Sequence, residues 1–275
     1  MKAIKHLLLH IVPLSLFPFS ISLLILVLLF FLTSVVGVVT GSNSLITVPA
    51  MFQFGIDAKV AVATNMFGLT FMAVGGTLPF LGKGVIDRVR LPWLVLLTMG
   101  GSALGALLVL VVPGKAMPLI ISVSMIGVAI FSLLRRNAGV IPPSSAQTRA
   151  AELTGYALTF ALGIYGGFFS GGYVTMLTAA YVALFRLTFV EAVSTTKIIN
   201  VFSSLIATLV FMWRGLVDYK LGVLLGVSMF LGAFVGARVT LKLNNVWLRR
   251  IFLATVIILA SKILLYDLLW KGITQ

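Results

Sequence analysis

The residues best suited to chemistry lie in two glycine-rich interruptions of otherwise apolar sequence. Gly37–Pro49 reads GVVTGSNSLITVP, and Tyr165–Leu177 reads YGGFFSGGYVTML. Hydroxyls, amides and the free N–H groups of a helix start can together replace the hydration shell of an oxyanion. The candidate substrate ligands are Ser42, Asn43, Ser44, Thr64 and Asn65 in the first half of the chain. In the second half they are Ser170, Gly171, Gly172, Thr195, Thr196, Lys197 and Asn200. Lys197 stands out, because it falls about two turns into an apolar run. A charge inside a membrane span costs about 2.5–3.5 kcal/mol on insertion scales and marks a functional position by default. Two plainer roles stand beside these. Ser, Thr and Asn commonly join helices in membranes, and a Lys two turns from a helix end can snorkel to the interface.

Such residues need elements that hold them at membrane depth, and the composition supplies them. The 275 residues are 60% hydrophobic and 9% charged, with a mean hydropathy of +1.18. A soluble domain of this size could not cover that apolar surface, so the chain is expected to be an all-α polytopic membrane protein in contact with the lipid bilayer. Twenty Lys and Arg against six Asp and Glu give a net charge of +14. Basic residues concentrated in short cytoplasmic loops account for such an excess, and it also provides a favourable field for an anion. No basic cluster belongs to a water-soluble module, which argues against nucleic acid as a partner. The chain has no Cys, and its two His, His6 and His10, lie near the amino terminus. No catalytic residue, metal site or cofactor is therefore expected, and an enzyme is the weakest candidate.

The apolar runs divide as follows. The start of the chain resembles a signal peptide without a small-residue cleavage site and is expected to be a retained anchor, with a first span at about 18–40. A short piece to Phe54 follows, then spans at Val60–Leu81, Leu91–Val112 and Ala116–Leu134. After a polar stretch, Leu153–Phe169 and a short piece to Leu184 precede spans near 192–213, 220–241 and 249–270. A ten-residue helix rises about 15 Å, half the hydrocarbon thickness, so each short piece is expected to be re-entrant or half of a broken helix. Breaking a helix at this depth frees backbone groups that must face protein or a watery cavity. Paired interrupted segments in the two halves of a transporter point to its binding site.

The halves also match in sequence. AVATN from Ala61 aligns with AVSTT from Ala192, GVID from Gly84 with GLVD from Gly215, and Gly101 and Gly105 with Gly232 and Gly236, all at an offset of 131 positions. The glycine-rich stretches are aligned at 128, which implies a three-residue insertion before the next span. Two repeats are expected, 1–134 and 152–275, joined by a cytoplasmic linker over 135–151. With both short pieces re-entrant, about eight full helices cross the membrane, both termini lie inside and the loops at 83–90, 135–149 and 214–220 are cytoplasmic. Lys242, Arg249 and Arg250 then fall outside, against the positive-inside rule. If the short pieces cross instead, the halves are inverted. Asp87 and Asp218 suit helix capping after their Gly-x-x-Asp turns. Trp93, Trp213, Trp247 and Trp270 suit an interfacial belt, and Arg238 and Lys262 suit snorkelling.

This order of motifs resembles the TauE/SafE family of sulfite exporters. The resemblance rests on the Gly-rich end of the first helix, the short piece with Pro49, the Ala-x-x-Thr opening of the next span and the Gly-x-x-Asp turn, each duplicated in outline over about residues 20–270. Ser42-Asn43-Ser44 departs from the glycines usual in the family, while Ser170-Gly171-Gly172 stays closer to them. The resemblance implies an inner-membrane permease that exports sulfite, sulfonates or related anions. A small anionic substrate, a coupling ion (proton or sodium) and a homodimer are the partners to test. A packing scaffold and a channel are the competing functions.

Overall fold

The computed structural model describes residues 19–41, 43–134 and 148–242. The residues before 19, the greater part of the expected linker and the expected span at 249–270 lie outside the described residues, as does Ser42. The described chain folds into α1 (Phe19–Thr40), α2 (Ser44–Gln53), α3 (Ala58–Thr77), α4 (Leu91–Val111), α5 (Met117–Leu134), α6 (Arg149–Phe168), α7 (Tyr173–Leu184), α8 (Phe189–Trp213) and α9 (Tyr219–Lys242). Single 3₁₀ turns occupy Leu78–Phe80 and Gly114–Ala116, and there is no strand among the described residues. The helices α1, α3, α4, α8 and α9 are long and apolar enough to cross a membrane, while α2 and α7 are apolar but shorter.

Local chemistry sets the boundaries. Asp57 accepts the Lys59 and Val60 N–H groups at 2.9 and 3.2 Å and starts α3. Thr148 starts α6 in the same way. Thr188 and Glu191 form a reciprocal capping box on α8, which gives Glu191 a structural task at the helix start. Chain reversal at each break uses a left-handed residue, Gly41 at φ +66° and Gly172 at φ +78°. Only glycine adopts that region without a steric cost, so Gly41 fixes where α1 ends and Gly172 where α7 begins.

Close approaches reveal the helix directions. On α9, Ser228 donates to the Val27 carbonyl, while Gly232 and Gly236 lie against the Phe31 and Val35 carbonyls. The paired numbers rise together, so α1 and α9 run parallel. Likewise Gly222 meets Phe67 and Thr64, Gly226 meets Phe71 and Gly75 meets Phe230, which makes α3 parallel to α9. The ladder of Thr98 with Gly163 and Ser102 with Gly167 makes α4 parallel to α6. By contrast α3 and α8 are antiparallel: Thr64 meets Asp218 just beyond α8, Thr70 meets Thr208, and Gly76 meets Lys197 near the α8 start. Thus α1, α3 and α9 point one way, and α4, α6 and α8 the other.

One expectation changes as a result. The loop 81–90 follows the carboxyl end of α3, whereas 214–218 lies beside its amino end, so these loops sit at opposite ends of the bundle rather than on one side. Lys242, at the far end of α9, joins the 81–90 end. For the glycine-rich stretches, the backbone landmarks favour an offset other than 128. The left-handed glycines (41 and 172), the residues that close the short helices (Phe54 and Phe185) and the caps that follow (Asp57 and Thr188) all differ by 131. Ahead of the breaks the matching carbonyls, Phe31 with Phe160 and Val35 with Ile164, differ by 129. The length difference is therefore two residues and lies inside the break.

The Gly-xxx-Gly faces are consumed within the chain. Gly101 and Gly105 bring α4 onto α6, and Gly232 and Gly236 bring α9 onto α1. They are not free to join a second copy.

Candidate functional site

The two breaks meet in the interior of the bundle. Ser44 Oγ, at the start of α2, lies 2.6 Å from Ser170 Oγ, at the end of α6. Thr175 donates to the Thr40 carbonyl, which leaves one break capped by the other. Gly41 faces the Thr175 N and Val174 with no room for a side chain, and Gly171 packs against Leu45. Behind this contact, Asn65 of α3 donates to Ser44 Oγ at 2.9 Å and accepts from Thr47 Oγ1 at 2.7 Å. In the other half Thr178 and Thr196 lie 3.3 Å apart, at positions 131 residues on from Thr47 and Asn65. The pairing of each short helix with the next long helix therefore occurs twice.

A small cleft, with about 10 Å³ of room for water-sized groups, opens at this junction, lined by Gly37, Gly41, Asn43, Ser44, Leu69, Met72, Ser170, Val174, Lys197 and Asn200. Lys197 is 2% exposed, and its Nζ donates to the Gly37 carbonyl at 3.1 Å. Its side chain turns into the break, not toward an end of the bundle as snorkelling requires. Asn43 is also buried. Its Nδ2 donates to Ser34 Oγ at 3.4 Å and contacts Met72 Sδ at 3.3 Å, while its Oδ1 has no hydrogen-bond partner. A buried polar atom without a partner is uncommon in a settled core.

Of the sequence-derived candidates, Asn43, Ser44, Ser170, Lys197 and Asn200 line the cleft, and Asn65 supports it through Ser44. Gly171 holds the second break through its carbonyl, which accepts the Tyr165 hydroxyl at 2.7 Å. Gly172 makes the turn over Val128. Thr196 donates to the Val193 carbonyl at 3.0 Å.

Thr64 and Thr195 point elsewhere. Thr64 accepts the Asp218 N–H at 3.0 Å, and Thr195 accepts the Asp87 N–H at 3.1 Å, so each half grips the loop of the other. Asp87 and Asp218 also cap the following helices, through the Arg90 and Leu221 N–H groups. Thr64→Val and Thr195→Val each leave a loop N–H without its acceptor, at an expected cost of about 1–2 kcal/mol. The two variants should lose similar thermal stability with solute affinity unchanged. A drop in affinity at full stability would return these threonines to the binding site.

Sequence reasoning missed Thr47, Thr175, Thr178 and the Gly37 and Thr40 carbonyls. The first three were findable as small polar residues on the short helices, at one-turn spacing from the break; the carbonyls carry no side-chain signal. Trp93 and Trp213 are exposed near helix ends and Arg238 is exposed with its guanidinium over Phe234, as interfacial residues should be. Trp247, Trp270 and Lys262 lie outside the described residues. Among the described residues no three His, Cys, Asp or Glu side chains gather to hold a metal ion.

A family model described as sulfite exporter TauE/SafE matches residues 26–263. The chain belongs to that family. TauE/SafE membership and the five membrane-length helices make it a multi-pass inner-membrane protein of a transporter family. It is similar to the probable membrane transporter protein ORF9 of a Sinorhizobium species, with 29% identity covering 85% of this chain and 89% of that one. It is 28% identical to the probable membrane transporter protein YfcA of Escherichia coli K12, over 90% of this chain and 93% of the relative. A probable membrane transporter protein of Haemophilus influenzae is 26% identical, over 87% and 93% of the two chains. No solved structure matches the chain.

Proposed function

We propose that this TauE/SafE protein is a secondary transporter that exports sulfite, an organosulfonate or a related small sulfur-containing anion through the cleft between the two breaks. The observation that carries the reading is Lys197, a cation buried where two interrupted helices meet, with a neutral carbonyl as its hydrogen-bond acceptor. Burying an ammonium is favourable only when a counter-charge or several dipoles compensate it. A transported anion supplies that charge, and the Ser44 and Ser170 hydroxyls and the Asn43 and Asn200 amides supply hydrogen bonds. Sulfur as the central atom and export as the direction rest on the family and on its printed description.

The architecture assigned to this function is a pair of inverted repeats, 1–134 and 152–275, with 135–151 between them. Each repeat is a hairpin of one long and one short helix followed by three long helices, giving about eight long helices and two short ones. The opposite directions of α3 and α8, together with the recurring offset of 131 residues, support the inversion. Lys83, Arg88, Arg90, Arg149, Arg186 and Lys242 then share the end of the bundle that faces the cytoplasm by the positive-inside rule. A proton or sodium ion is the coupling ion to test.

The test is counterflow in liposomes preloaded with sulfite, sulfoacetate, taurine, sulfate or chloride, each against its labelled form. Saturable exchange of a sulfur oxyanion or sulfonate, competed by unlabelled solute, is the expected result. Folded protein that exchanges none of the five would overturn the substrate assignment, and flux without saturation would make the protein a channel.

A further inference from the structure

The two hairpins match closely around their ends, with one exception. At the end expected to face the cytoplasm, Phe185 closes α7 and is buried on Gly155 of α6, a fit that leaves no room for a Cβ. The Arg90 guanidinium lies over the Phe185 ring, 5.1 Å from its centroid. The same guanidinium bonds Asp87 at 2.7 Å and Glu152 of α6 at 3.3 Å, and Glu152 also accepts from the Tyr156 hydroxyl at 3.3 Å. The local Arg90–Asp87 pair is shielded, with side chains 19% and 7% exposed, whereas Glu152, which carries the tie to α6, is 37% exposed and partly screened by solvent. One side chain thus ties the start of α4 to both helices of the α6–α7 hairpin.

At the opposite end the matching parts are present without the clamp. Phe54 takes the place of Phe185, and Asp218 that of Asp87, with the same cap onto the third following N–H. The position of Arg90 is occupied by Leu221, 131 residues on. Phe54 is only half-buried, and a Cβ on Gly55 beside it would meet nothing within 4 Å. No ion pair joins the α1–α2 hairpin to its surroundings among the described residues.

We propose that the Arg90 cluster is a latch that holds the α6–α7 hairpin shut, so the resting protein opens at the α1–α2 end. The role of the latch in a transport cycle rests on the transporter reading above. The asymmetry itself does not. In an inverted pair of otherwise matched hairpins, a contact found at one end biases the population of the two states by its own free energy. The hairpin without it moves more readily.

The chain contains no Cys, so a single introduced thiol is the sole reporter. Val182 of α7 and Met51 of α2 are both fully buried and sit 131 residues apart. Val182→Cys and Met51→Cys are each labelled with a hydrophilic maleimide in the otherwise unchanged protein and again with Arg90→Gln. In the unchanged background Met51→Cys should label faster. Arg90→Gln should raise the rate at Val182→Cys about tenfold, the combined effect of a partly screened ion pair and a cation–ring contact, while Met51→Cys stays within about twofold. An unchanged rate at Val182→Cys, or an equal rise at both positions, overturns the latch. If Arg90→Gln does not give folded protein, Glu152→Gln decides: it keeps Arg90 on Asp87 and Phe185 but releases α6, and an unchanged Val182→Cys rate there is equally fatal. Absence of counterflow alongside the expected labelling pattern would count against the anion reading alone.

Discussion

Gly105→Ala will strongly destabilise the protein, although it adds a single methyl group. A Cβ at Gly105 would lie 2.0 Å from the Ile164 carbonyl oxygen and 2.7 Å from the Phe168 N. Both are backbone atoms of α6, so no rotamer change relieves the clash and the two helices must separate. The separation also disturbs Ser102, which donates to the Gly163 carbonyl at 3.2 Å and sits 2.6 Å from Ser203 Oγ of α8. Overpacking against backbone at a tight crossing costs about 3 kcal/mol. A melting temperature about 10 °C lower in detergent is the expected readout. Gly236→Ala should behave alike, because its Cβ would sit 2.2 Å from the Val35 carbonyl. Gly127→Ala is the control: it lies in α5 with nothing within 4 Å, and should be neutral or stabilising by up to about 1 kcal/mol. Equal shifts in all three variants would refute close backbone contact as the source of stability.

The second large effect is on transport. Lys197→Met places in α8 the residue that α3 carries at the matching position, Met66. It removes the cation from the cleft while filling most of its volume. Replacing a buried charge by an apolar side chain of similar size is often neutral or stabilising by about 1–4 kcal/mol. The substituted protein should therefore melt at the same temperature or higher. Its anion exchange should fall at least about 100-fold, the loss of a direct charge-assisted contact of roughly 3 kcal/mol. Lower stability together with preserved exchange would make Lys197 a structural anchor for the Gly37 carbonyl. Lost exchange in a more stable protein assigns it to the substrate.

Much of this arrangement was readable from residue types. Glycines and hydroxyls in the middle of apolar runs marked both breaks, and a lysine among them marked the cleft, because such residues are costly at membrane depth. That Thr64 and Thr195 hold loops instead of lining the cleft was not legible, for an equally physical reason. In a chain that is apolar on every side, hydrophobicity does not separate a helix face that meets protein from one that meets lipid, so the direction of a small polar side chain carries no pattern. Thr64 and Asn65 are neighbours, yet one turns to the loop at Asp218 and the other to Ser44. The direction of each helix was hidden for a related reason, because a sequence match between halves is the same whether they are parallel or inverted. The placement of the length difference depended on backbone conformation. Gly41 and Gly172 share the left-handed conformation, and neither is distinguishable by composition from the glycines around it.

The way the halves interlock has a consequence for how the protein is made. α3 packs mainly on α9, and α1 does the same; α4 packs mainly on α6 and then on α8. Their partners emerge from the ribosome later, and for α1 the wait is about 200 residues of synthesis. At 5–20 residues per second this is about 10–40 seconds. During that time Ser34, Asn43, Thr47 and Asn65 have only one another, or water and the insertion machinery, to satisfy them. A first half expressed alone should remain bound to insertion factors or be degraded. Two halves expressed as separate chains should rescue each other when their synthesis overlaps in time.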